Sequence, residues 1–440
     1  MESPSPGYRH RVLVLAYYFP PMGGSGVQRT AKFVKYLPMY GWEPVVLTAE
    51  PGGYYAFDET LQAEMERAGI EVRRTSSFDP NRLLGKERTV PMPGEVGRKL
   101  FSGLSQMFFV PDNKKGWAEP AFEAGKKLLE MRRFDAIFST APPYTSHLVG
   151  MRLSKAFGLP LITDFRDDWV GNPRHRYPTP WHRKRHEALE REVLQYSAAA
   201  VTINRAIQGN LARRTLGASG LKKVHVIPQG YDLDDFTQAT PAPARSEVMR
   251  LLYAGLFYDA QKPNTFLKGL ADLLERRPDI RPRIEAKFVG MLPKKGQQLI
   301  AKLKLEDVTV VDTYRPHLET VGELLSADVL WMTVGHQKAE ETISTGKLYE
   351  YIGTHKPILG LVPEGTAAQT LRQYGAGVVV DPDDVVGTSV ALERLFDQWA
   401  TSALPHVDQA FVQTFNRQHL ASDLAEVMRS TLSRLDDVVM

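Results

Sequence analysis

Short continuous apolar runs alternate along this chain with segments whose apolar residues recur at helical spacing. The first run, Arg11 to Tyr17 (RVLVLAY), stops at Phe19-Pro20-Pro21-Met22-Gly23-Gly24-Ser25-Gly26. From Val27 to Tyr40 the residues Val27, Phe33, Val34 and Leu37 fall on or near one face, which predicts a helix. Pro44 to Thr48 reads as a second strand. Strand, glycine loop, helix, strand is the opening of a doubly wound parallel sheet. Further buried strands are predicted at Ala136–Phe138, Leu161–Thr163 and Ala199–Thr202, each with a helix beside it, among them Glu187 to Tyr196.

The pattern then starts again. Val224–Ile227, Leu251–Ala254, Ala286–Val289, Val308–Val311, Val329–Met332, Ile358–Leu361 and Gly377–Val380 all read as strands. Helices fit between most of them, for example Thr265–Glu275 and Gln297–Lys302. The expected division is residues 1–202 as one Rossmann-like domain and residues 203–414 as a second, with a helix over 415–440 packing back on the first. Two such sheets imply a cleft faced by strand carboxyl ends.

Composition narrows the chemistry without deciding it. At 440 residues the chain exceeds what one hydrophobic core comfortably fills. A net charge of +4 is too modest to suggest nucleic acid, but it suits anionic small molecules or a passing contact with acidic lipid. With no cysteine, disulfides, thiolate metal sites and thiol nucleophiles are excluded. The polar start, Met1 to His10, has no apolar segment of the kind a secretory signal needs. No stretch is long and apolar enough to span a bilayer. The expected location is the cytoplasm, with peripheral contact at the inner face of a membrane as an option.

The segment Ser344-Thr345-Gly346-Lys347-Leu348-Tyr349-Glu350 carries the clearest chemistry. Ser344 or Thr345 can cap a helix whose apolar side is Leu348, Tyr351 and Ile352. The first turn offers unpaired amides and the positive end of the helix dipole to a diphosphate. Gly346 permits close approach, Lys347 adds a charge, and Glu350 lies one turn on, where a carboxylate can accept from two ribose hydroxyls. Alone, the same residues also describe an ordinary capped helix.

The wider order of motifs resembles the GT-B glycosyltransferases, specifically the retaining group called glycosyltransferase family 4. The resemblance rests on Tyr18-Phe19-Pro20-Pro21-Met22-Gly23-Gly24, Ser139-Thr140-Ala141-Pro142-Pro143-Tyr144-Thr145-Ser146-His147 and Asp164-Phe165-Arg166-Asp167-Asp168-Trp169. It continues through Val226-Ile227-Pro228-Gln229-Gly230-Tyr231-Asp232, Tyr253-Ala254-Gly255, Phe288-Val289-Gly290, Ser344 to Tyr351 and Lys356-Pro357-Ile358-Leu359. It implies a hexosyltransferase-type enzyme moving sugar from a UDP- or GDP-linked donor to a hydroxyl of a glycan or lipid-linked saccharide. Such transfer retains anomeric configuration and belongs to cell-surface polysaccharide or glycoconjugate synthesis. By the resemblance, Glu350 holds the ribose, the Ser344, Thr345 and Gly346 amides face the diphosphate, Lys262 neutralises the leaving phosphate, and Gly290 lies near the base or diphosphate. No cofactor and no metal ion are expected. Two departures stand out: the carboxylate expected eight residues before Glu350 is Thr342, with Glu341 one position off, and Leu256 replaces the arginine expected after Gly255.

In the first half, Gly23 and Gly24 let the backbone approach the donor, or simply make a tight turn. The spacing is not that of a dinucleotide fingerprint. His147 is a candidate contact to the donor sugar, and Asp164 a candidate for the acceptor hydroxyl, as a base; alternatively Asp164 and Asp167 pair with Arg166 and fix the loop. Arg174-His175-Arg176 and His182-Arg183-Lys184-Arg185-His186 form a basic stretch, a solvated face or a grip on an anionic acceptor. Arg98-Lys99-Leu100-Phe101, Leu104 and Met107-Phe108-Phe109-Val110 are either core or an interfacial membrane patch. The rival readings are a GT-B epimerase or hydrolase and a non-catalytic nucleotide-sugar-binding partner.

Overall fold

The computed structural model describes residues 7–52, 57–78, 107, 109–173, 175–215, 217–241, 243, 247–257, 260–313 and 315–439. Arg98 to Leu104, Phe108 and Arg174 of the basic and apolar stretches lie outside the described residues. The chain divides into two units, Met1–Pro228 with Arg417–Met440, and Gln229–Asn416.

In the first unit seven parallel strands run in the order β3-β2-β1-β4-β5-β6-β7. They are β1 His10–Leu15, β2 Trp42–Ala49, β3 Glu71–Thr75, β4 Ala136–Ala141, β5 Leu161–Phe165, β6 Ala199–Thr202 and β7 Val224–Val226. The unbroken run in β1 has a simple cause. Leu13 and Leu15 pack with Trp117, Tyr144 and Trp169 on one face, and Val12 and Val14 with Phe33, Val34 and Leu424 on the other. Alternate side chains point to opposite faces, so a strand clad on both sides is apolar throughout. Leu424 belongs to the last helix, Arg417–Val439, whose Leu420, Ala421, Leu424, Ala425 and Met428 supply an apolar stripe at helical spacing.

The domain boundary needs correcting. Val224–Ile227 was expected to open the second sheet, but β7 pairs with β6, Ala200 opposite Val224, and so closes the first. The boundary therefore falls after Pro228 rather than after residue 202. Strand β3 is an unforeseen edge strand; its residues are half-buried or exposed, so no apolar run marks it.

The second unit holds six parallel strands in the order β10-β9-β8-β11-β12-β13. They are β8 Met249–Leu256, β9 Ile284–Met291, β10 Thr309–Asp312, β11 Val329–Thr333, β12 Ile358–Leu361 and β13 Gly377–Val380. Trp331 of β11 is fully buried and stacks on Phe266 at 3.9 Å between ring centroids. In each sheet the strand order reverses once, between β1 and β4 and between β8 and β11. Ligands of doubly wound sheets bind beyond the strand carboxyl ends at that reversal. Among the described residues no helix is long and apolar enough to cross a membrane.

Candidate functional site

In the second unit the motif forms as a helix, Gly346–Gly353, with Thr345 in extended conformation before it. The Thr345 side chain does not cap the helix, and its Oγ1 is buried with no hydrogen-bond partner. Leu348, Tyr349, Tyr351 and Ile352 anchor the inner face. The Tyr351 hydroxyl accepts from the Ala254 amide at 2.8 Å, which ties the helix to the carboxyl end of β8.

Lys347 lies over Tyr253, its Nζ 3.5 Å from the ring centroid. Desolvation pushes the Lys347 pKa well below the usual lysine range, against the opposing pull of the Glu350 carboxylate. A side chain on Gly255 would meet the Lys347 Cε and Nζ at 3.4 and 3.5 Å, and Gly255 has φ +111°. Gly290 stands opposite Gly255 in the β8–β9 ladder. At φ +124°, with a Cβ that would fall 2.6 Å from the Gly255 carbonyl, Gly290 is there for backbone packing beneath Lys347. The lysine thus fills the space beside the position where the expected arginine is replaced by Leu256.

Glu350 is partly exposed, and its carboxylate lies 3.9 Å from His317 Nδ1. His317 Nε2 is in turn 3.3 Å from Asp235. His317 was missed by the sequence reading; the available signal was a histidine opening a helix just after the carboxyl end of β10. Lys262 is exposed in the segment after β8, near the start of the helix Asn264–Arg276. Glu341 is exposed, and it is its carbonyl that is engaged, accepting from Thr366 Oγ1. The carboxylate that works in this loop is Glu340, which accepts from the Gln337 amide and lies 3.1 Å from His336 Nδ1. His336 also reaches Asp381 at 3.1 Å, and the bond to Glu340, with Asp381, raises its pKa.

In the first unit Gly23 is buried, and Gly24, at φ +105° and with open space at its Cβ position, precedes the helix Ser25–Tyr36. Gly24 is required by backbone conformation and not by a close neighbour. Asp164 is fully buried and paired with Arg29, not with Arg166 as in the alternative reading of this motif. Its oxygens accept from Arg29 Nη2 at 3.0 Å and from Thr140 Oγ1 at 2.9 Å. Arg29 continues to the Ile227 and Pro228 carbonyls at 2.9 and 2.6 Å. A carboxylate so enclosed is a strut that joins the first helix, β4, β5 and the end of the sheet; this replaces the expectation that it touches the acceptor as a base.

His147 is fully buried too, and so is not presented to a sugar in this conformation. Its Nδ1 is 2.8 Å from Ser139 Oγ, its ring packs on Phe165, and Nε2 has no partner. Burial lowers its pKa to about 3, so the ring is neutral. Arg166, just after β5, donates from Nε to the Ala141 carbonyl at 3.0 Å and from Nη2 to the Pro142 carbonyl at 2.6 Å. Of the basic stretch, Trp181, Arg183, Lys184 and Arg185 are exposed, whereas His186 is buried and accepts from Trp169 Nε1 at 3.0 Å.

Residues 24–230 match the family model described as a glycosyl transferase 4-like domain. The D-inositol 3-phosphate glycosyltransferase of Paenarthrobacter aurescens is 26% identical over 320 residues, 69% of this chain and 74% of that protein. A glycosyltransferase from Rickettsia africae superposes with a TM-score of 0.64 at 16% identity, covering 96% of this chain and 98% of that one. Anabaena HepE, solved in complex with UDP and glucose, gives a TM-score of 0.60 at 15% identity over 96% and 100% of the two chains. Two parallel sheets of seven and six strands, a glycine loop after the first strand and a lysine–glutamate helix start in the second unit have one common explanation: this chain has the GT-B glycosyltransferase fold, and its residues 24–230 belong to the glycosyl transferase 4-like domain family.

Proposed function

We propose that the chain transfers a hexosyl group from a UDP- or GDP-linked donor to an acceptor hydroxyl, with retention and without a metal ion. The observation that carries this is the helix start Thr345–Glu350, held by Tyr351 against the end of β8, where strand order reverses. The ribose hydroxyls donate to Glu350, oriented by His317. The diphosphate lies against the amides at Thr345, Gly346 and Lys347, and the Lys347 ammonium, with Lys262, offsets the charge that grows on the leaving oxygen. Asp164 acts on the first unit as a positioning residue through Arg29. Acceptors to test are glycans, lipid-linked saccharides at the inner face of a membrane, and a phosphorylated cyclitol, the last because the Paenarthrobacter relative is named for one.

Glu350→Ala should weaken UDP- or GDP-sugar binding at least about tenfold, the scale of a lost charge-assisted hydrogen bond. Calorimetric titration measures it; wild-type donor affinity in that variant removes the ribose assignment. Product analysis with and without acceptor separates transfer from epimerisation and hydrolysis, and binding without any turnover would favour a non-catalytic protein.

Lys347 makes a second, independent prediction. A diphosphate beside a desolvated lysine draws its lowered pKa back up, so binding takes up protons between the lowered and the restored pKa, and affinity falls as pH rises through that range. Titrating UDP in two buffers of different ionisation enthalpy reads the uptake, which should vanish in Lys347→Met. Equal proton uptake in both proteins would place the diphosphate elsewhere.

A further inference from the structure

Three helices of the second unit bring an acid, an imidazole and a second acid into one chain. Asp235 comes from the helix Leu233–Gln238, His317 opens the helix His317–Ser326, and Glu350 lies in the helix Gly346–Gly353. Pro316 precedes the histidine, and Arg315 donates from Nε to Asp312 at 3.0 Å, which braces the turn after β10 that delivers the ring. His317 Nε2 is 3.3 Å from Asp235 Oδ2, whereas Nδ1 is 3.9 Å from Glu350 Oε1. The first contact is a hydrogen bond and the second is too long to be one. A carboxylate only accepts, so Nε2 carries the proton that it gives to Asp235, and the neutral ring then presents an acceptor at Nδ1. Nδ1 and the Glu350 carboxylate thus make an edge of two acceptors, on side chains 20% and 23% exposed. Neither can satisfy the other. A single hydroxyl, with one proton, cannot serve both, but two adjacent hydroxyls can, one to each.

We propose that the vicinal diol of the donor ribose is read by two residues, His317 Nδ1 accepting from one hydroxyl and Glu350 from the other, with Asp235 as the positioning residue that makes Nδ1 an acceptor. The pair selects a ribonucleotide over both of its deoxy forms, because each missing hydroxyl strands a different acceptor. This deepens the donor reading above and rests on it, and it gives His317 a direct contact in addition to its hold on Glu350.

The full-length protein is titrated calorimetrically with UDP and GDP, and the tighter nucleotide is then compared with its 2′-deoxy and 3′-deoxy forms. In the wild type, the deoxy form that strands Glu350 should bind at least about tenfold more weakly, and the one that strands His317 about 3- to 10-fold. His317→Leu should abolish the smaller penalty and keep the larger; Glu350→Ala should do the reverse. His317→Asn can set a carbonyl oxygen near the Nδ1 position and should restore part of the smaller penalty. Asp235→Asn touches no hydroxyl, yet its amide can donate to Nε2 and move the ring proton to Nδ1, so the smaller penalty should shrink there as well. An undiminished penalty in that variant removes the role of Asp235. A merely structural histidine would behave differently: His317→Leu would weaken the ribonucleotide and both deoxy forms by one common factor. That result, or both penalties at wild-type size in His317→Leu, overturns the proposal and leaves Glu350 as the ribose residue. Penalties unchanged in Glu350→Ala overturn the ribose assignment itself, and no binding of either nucleotide overturns the donor reading; the proposal falls with each.

Discussion

Arg29→Met is expected to destabilise the first unit by about 3–5 kcal/mol, the usual cost of stranding one half of a buried ion pair. The Arg29 and Asp164 side chains are 2% and 0% exposed, so water cannot replace the missing guanidinium. The substitution also leaves the Ile227 and Pro228 carbonyls without their donor and removes the guanidinium from the Phe33 ring, 4.7 Å away. Adding Asp164→Leu should restore part of the loss, because an apolar pair has no orphaned charge. Hydrogen exchange of peptides from β5 and the first helix resolves the effect within one unit of a two-unit chain. Protection at wild-type level in Arg29→Met would mean that the pair is not what joins these elements.

Acid should weaken the first unit through His147. The folded pKa of about 3 lies below the ordinary 6.5, so between these values the unfolded chain binds the extra proton. Stability therefore falls as pH drops from 6.5, by about 1.4 kcal/mol per pH unit, and approaches a total of about 5 kcal/mol near pH 3. His147→Asn can keep a bond to Ser139 without the titrating ring. It should be less stable at neutral pH by a constant amount and lose less on acidification. Urea unfolding at several pH values compares the two slopes; parallel slopes would show that the ring does not need to shed its proton to fold.

Most of the fold was readable because burial leaves a local record. Strands β1, β8 and β12 are clad on both faces and appear as solid apolar runs; the helix at Gly346 shows itself by its apolar stripe, although the cap expected from Ser344 or Thr345 does not form. Strand β3 and the edge strand β7 were missed or misassigned for the complementary reason. An edge strand of three to five residues buries too little to leave a pattern, and which sheet it joins is a pairing decision made elsewhere in the chain.

Glu350 and Lys347 were legible as candidates, since they share one helix start with Ser344, Thr345 and Gly346. Their surroundings were not. His317 meets Glu350 from another helix, and Gly255 and Gly290 prove to be mutually packed glycines beneath the lysine. The motif Asp164 to Trp169 suggested an internal pairing with Arg166. Strand order instead brought Arg29 to Asp164 and freed Arg166 to face the glycine loop. Periodicity and helix-start signals are short-range, and from them the sequence by itself determined two doubly wound units and the helix Gly346–Gly353. Charge pairing is set by which strand ends become neighbours, so the tertiary structure alone decided which carboxylate is a strut and which arginine is held by backbone carbonyls instead.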